Sequence, residues 1–103
     1  MQLRRLCQRG ALGMARTGGV SSHGSGDLAL AFSTAATGAA ADLQVLHDRR
    51  LSPVHAAVVE ATEEAILNSL TAADTMVGRD GNTIHALPLK RLVELMATHG
   101  RLG

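Results

Sequence analysis

The sequence predicts an α/β (α+β) chain that supplies only part of a sheet structure, and three observations carry that prediction. Apolar residues recur at helical spacing over 2–16, from 52 to about 73, and from near Pro88 to Gly100. One segment alone, 28–33, alternates as a strand. A lone strand leaves backbone donors and acceptors unpaired on both sides, so at least two further strands must come from elsewhere. The expected order is helix, loop, strand, connection, long helix, turn, helix, and residues 1–103 read as a single incomplete domain, a piece of an α/β protein or an obligate partner of another chain.

Residues 2–16 form the first expected helix. Leu3, Leu6, Cys7, Ala11 and Met14 share one face, and Arg4, Arg5, Arg9 and Arg16 fall mostly elsewhere. Gly10 and Gly13 lower its intrinsic helicity but permit a close approach to a neighbouring element. Thr17-Gly18-Gly19 ends it, with glycine available for a left-handed cap. Residues 18–26 are Gly/Ser-rich and read as loop. In the strand that follows, Leu28, Leu30 and Phe32 make a large apolar face and Ala29, Ala31 and Ser33 a small one. Residues 35–50 are a low-complexity connection with room for a short strand or helical turn near residue 44. Ser52-Pro53 reads as an N-cap and first helical position. Glu60, Glu63 and Glu64 read as a solvated face of that long helix. Gly78–Thr83 is a turn, by its Asp-Gly and Gly-Asn pairs, which Met76 and Ile84 would anchor into the core. A last helix carries Leu89, Leu92, Val93, Leu95 and Met96.

Composition narrows the function classes. Ten Lys/Arg against nine Asp/Glu give a net charge of +1, which predicts no nucleic-acid partner. Apolar residues reach 46%, yet Phe32 is the one aromatic, so this chain alone builds a thin core. No apolar run approaches the roughly 18 residues of a membrane span, and no membrane association is expected. Cys7, the single cysteine, forms no internal disulfide; a cytoplasmic setting and a small buried apolar role on its helix are expected for it. An Arg-rich, acid-free start also fits a mitochondrial transit peptide, with residues 1–17 removed from a helical protein.

The chemistry-bearing groups concentrate in Ser21-Ser22-His23-Gly24-Ser25-Gly26-Asp27. Ser25 and Asp27 lie two apart, so in extended backbone both project to one face, where a hydroxyl beside a carboxylate can orient a proton relay or hold a substrate ammonium group. Spacing alone favours a turn that caps the strand entrance. His23, His47, His55, His85 and His99 show no metal-ligand spacing, and Gly78–Thr83 lacks the Gly-Lys-Ser/Thr of a phosphate loop. No metal and no cofactor are expected.

Several segments in order resemble one family. Gln2–Leu6 with Arg9–Gly18, then His23-Gly24-Ser25-Gly26-Asp27-Leu28 through Ala35, then Val59–Asn68, Thr75–Thr83 and His85–Leu89, are similar to the P1 family of aminopeptidases (peptidase family S58). That family includes the L-aminopeptidase/D-Ala-esterase/amidase enzymes and the β-peptidyl aminopeptidases. The resemblance implies a fragment of an αββα sandwich similar to N-terminal-nucleophile hydrolases, in which a precursor cleaves itself before a serine. That serine becomes the first residue of the smaller subunit and the nucleophile, and its own α-amino group can serve as base. Ser25 and Asp27 match the serine and acidic residue that support the nucleophile; His23 replaces the family's usual Asn. The resemblance implies that this chain is the C-terminal part of the smaller subunit, with the nucleophile upstream of Met1, and is inactive alone. It implies as partners the missing N-terminal part or larger subunit, a homo-oligomer of heterodimers when intact, and a peptide or aminoacyl amide substrate. A non-catalytic module that completes another chain's sheet is the alternative.

Overall fold

The computed structural model describes residues 2–34 and 46–102. Its elements are α1 (Gln2–Arg16), a short 3-10 turn (Asp48–Arg50), α2 (Leu51–Ala72), β1 (Met76–Val77), β2 (Thr83–Ile84) and α3 (Leu89–Thr98). They divide into two compact units, Met1–Ile66 and Leu67–Gly103, with α2 contributing to both. The expected strand or helical turn near residue 44 lies outside the described residues.

In the first unit α1 packs on α2 through a glycine contact. A Cβ at Gly13 would lie 2.6 Å from both the Val59 carbonyl oxygen and Thr62 Cβ. Only a residue without a side chain admits this approach, and Gly13 is buried by it. The Thr62 hydroxyl turns back to donate to the Val58 carbonyl at 2.7 Å. Beside it Arg16 Nε donates to Glu63 Oε2 at 2.8 Å. Glu63 therefore faces α1 and departs from the expected solvated face, on which Glu60 and Glu64 remain exposed. At the other end Gln2 donates to the Leu46 carbonyl, and Arg5 lies 3.8 Å from Asp48. Leu51 is the only buried apolar residue among those described.

The caps follow local chemistry. Gly18 takes φ 95° after α1, with Gly18 N–H donating to Ala15 O and Gly19 N–H to Met14 O. This is the paired bond pattern of a left-handed glycine cap. Gly100 ends α3 the same way, with φ 62° and bonds to Ala97 O and, from Arg101, to Met96 O. The start of α2 corrects the expectation for Ser52. The 3-10 turn begins one turn earlier, capped by His47, whose Nδ1 accepts from Arg49 N–H at 3.5 Å. Ser52 therefore lies inside the helix. Pro53 remains in the first turn, where its missing N–H has no intrahelical role.

Residues 28–33 correct the expected strand: they form no ladder among the described residues. A ladder needs a second extended segment alongside, and the described sheet is made by β1 and β2 alone. Residues 28–31 border open grooves beside α1 and α2, and Leu28, Leu30 and Phe32 are 104%, 90% and 76% exposed.

The second unit holds the sheet that the sequence did not announce. β1 and β2 are antiparallel, with Met76 opposite Ile84 and Val77 opposite Thr83. Two residues per strand are too few to show an alternation. The turn between them was expected, and Asp80 and Gly81 take positive φ there, 58° and 77°. Gly78 N–H donates to Asn82 O at 2.7 Å, and the Thr83 hydroxyl to Gly81 O at 3.0 Å. The Thr75 hydroxyl accepts from Ala86 N–H and closes the hairpin's open end. Met76 and Ile84 do not anchor it into a core within this chain; they are 68% and 75% exposed.

Candidate functional site

The loop between α1 and residue 28 folds back on itself. Ser21 and Gly24 take positive φ, 46° and 89°, and Ser25 N–H donates to Ser22 O at 2.9 Å. This tight turn brings position 27 back beside position 21. The Ser21 hydroxyl then donates to Asp27 Oδ2 at 3.3 Å. The expected pairing of Ser25 with Asp27 is not formed among the described residues. Ser25 sits at the exposed turn, and Asp27 takes its hydrogen bond from Ser21, which sequence reasoning had left in the loop. A serine six residues before an aspartate has no periodic signature. The signal that could have found it is the Ser22-His23-Gly24-Ser25 turn, which reverses the chain between them.

Asp27 also borders an open groove of about 510 Å³. Gly10, Ala11 and Met14 of α1, Thr62 of α2 and the backbone-rich pair Gly26 and Ala29 contribute to its walls. Cys7 lines the same groove and is partly exposed, so it is not the fully buried residue expected of it. The site therefore comprises a carboxylate at the mouth of an apolar groove, with one hydroxyl on it and a second two residues away. Such a set can accept a cation or orient a proton. No three His, Cys, Asp or Glu residues among those described gather to hold a metal ion. No described helix is long and apolar enough to cross a membrane.

One titratable group lies elsewhere in the first unit. His55 Nε2, on α2, is buried and has no hydrogen-bond partner among the described residues. Desolvation first, then the positive charges of Arg9 and Arg5, hold its imidazole below the usual histidine value.

The family model of peptidase family S58 matches residues 1–84, and the chain belongs to that family. It is 41% identical over 108 aligned residues to the beta-peptidyl aminopeptidase BapA of Sphingosinicella microcystinivorans, covering 99% of this chain and 27% of that protein. It is 35% identical to the BapA of Sphingosinicella xenopeptidilytica, covering 92% of this chain and 25% of that protein. The crystal structure of the PH0078 protein from Pyrococcus horikoshii OT3 superposes with a TM-score of 0.88 at 44% identity, covering 98% of this chain and 30% of that one. The chain thus spans about a quarter of the length of the curated relatives it matches.

Proposed function

We propose that this chain is the C-terminal part of the smaller subunit of an S58 serine aminopeptidase and supplies Ser25 and Asp27 as helpers to a nucleophile carried by the rest of the enzyme. The observation that carries the reading is the segment after Asp27. Leu28, Leu30 and Phe32 stand exposed, and residues 28–31 border open grooves beside α1 and α2. A strand-patterned segment that leaves its large apolar side chains in solvent calls for sheet neighbours, and pairing it would fix the Ser25-Gly26-Asp27 loop at the sheet's mouth. Burying those three side chains would contribute about 5–9 kcal/mol.

In the completed enzyme the nucleophile is an N-terminal serine released by self-cleavage. Its α-amino group, with an ordinary pKa near 8, is partly neutral at physiological pH and takes the hydroxyl proton as the serine attacks the substrate carbonyl. The Ser25 hydroxyl hydrogen-bonds the nucleophile, and the Asp27 carboxylate holds the ammonium form of the base or the substrate's own α-ammonium group. The substrates are peptides, amides or esters with a free N-terminal amino acid. Similarity to two proteins named beta-peptidyl aminopeptidase supports β-aminoacyl substrates within that class. The surrounding architecture is the αββα sandwich, to which this chain would contribute helices and the 28–33 segment as a strand.

The test is complementation. The 103-residue chain alone should release no product from aminoacyl p-nitroanilides. Co-produced with the remainder of the Pyrococcus horikoshii relative, it should associate and turn over, with activity lowered about 100-fold or more by Ser25→Ala and by Asp27→Asn. Turnover by the purified chain alone contradicts the need for the remainder. An active assembly indifferent to both substitutions contradicts the helper roles and leaves the second reading, a non-catalytic module that completes a sheet.

A further inference from the structure

The loop spends its strain at an unexpected place. Ser21 takes φ 46°, the left-handed region that a non-glycine residue occupies at roughly 1–3 kcal/mol. Glycine would adopt it freely, and glycines stand at positions 18, 19, 24 and 26 of the same loop. A serine at this position is explained by what its side chain does there. Its hydroxyl donates to Asp27 Oδ2, and Oδ1 has no hydrogen bond among the described residues. Both residues are exposed, so the contact contributes little to stability. At 3.3 Å it is longer than the roughly 2.5–2.7 Å of a charge-assisted O–H···O⁻ bond.

We propose that Ser21 is a positioning residue: its hydroxyl holds one oxygen of Asp27, fixes the carboxylate rotamer at the groove mouth and leaves Oδ1 to face the reacting groups. This rests on the reading of Asp27 as a helper in the completed S58 enzyme. Ser21 touches neither substrate nor nucleophile. It acts through Asp27, so its loss lowers turnover and spares ground-state binding.

Three substitutions separate hydroxyl from backbone. Ser21→Gly keeps the left-handed backbone, relieves its strain and removes the donor. Ser21→Asn keeps both, because asparagine tolerates positive φ and its amide N–H can donate to a carboxylate. Ser21→Ala removes the donor and keeps the strain. In the assembly with the remainder of the relative, kcat should fall about 10- to 100-fold for Gly and Ala with KM within about twofold, and Asn should restore most of it. A Ser21→Gly assembly as active as wild type overturns the proposal, as does equal loss in the Gly and Asn variants. The side-chain couplings of Asp27, read by NMR with only this chain labelled in the assembly, provide an independent readout. One dominant rotamer in wild type and Asn, averaged in Gly, supports the proposal; averaging in wild type overturns it. An inactive wild-type assembly with that rotamer pattern intact refutes the functional reading and leaves the positioning of Asp27 standing.

Discussion

At the scale of single residues, His55 makes the molecule sensitive to acid. Its imidazole titrates lower in the folded chain than the 6.5 of a free side chain. As pH falls below about 6.5, the unfolded state takes up the proton first, so stability declines. The decline levels off once the folded imidazole is also protonated. Full stability from this group is thus present above pH 6.5. Thermal unfolding between pH 7.5 and 4.5 should show a fall in wild type that is shallower in His55→Leu; identical slopes would remove His55 as the cause. His55 was visible in the sequence only as one of five histidines without ligand spacing. The charges of Arg9 and Arg5 reach it from α1, which no local pattern reveals. Ser21 is the same case: its partner Asp27 is set by a reversal of the chain.

At the scale of elements, the helices were legible because their signals are local. Gly18 and Gly100 sit where left-handed caps were needed, and both ends carry the expected paired bonds. The glycines inside α1 were read alike, yet they differ. A Cβ at Gly13 meets the Val59 carbonyl oxygen at 2.6 Å, whereas one at Gly10 meets nothing within 4 Å. Gly13→Ala should therefore force α1 from α2 at about 1–3 kcal/mol. Gly10→Ala should stabilise by up to about 1 kcal/mol through helix propensity. Denaturant unfolding of the two variants checks both signs, and a neutral Gly13→Ala would show that α1 does not lie on α2 at this distance. The β elements were less legible. Strands of two residues leave no alternation, so β1 and β2 were missed although their turn was found. The 28–33 segment has the alternation but forms no ladder among the described residues, because pairing is a property of at least two segments.

At the scale of the whole molecule, the sequence and the structure agree on incompleteness of burial. The chain is 46% apolar, yet Leu51 is the one buried apolar side chain among the described residues. The fold class could be read from patterning, and the family from several motifs in order; strand neighbours for residues 28–33 could not, because pairing is not a local property of the segment. The central claim is that this segment becomes a sheet strand, and Asp27 a seated helper, in the company of the rest of an S58 enzyme. Amide hydrogen exchange over residues 28–33 tests it most directly, measured on the chain alone and on its assembly with the remainder of the relative. The account predicts exchange near the unprotected rate alone and slowing by about a hundredfold or more in the assembly. Equal rates for these amides in an active assembly would contradict it.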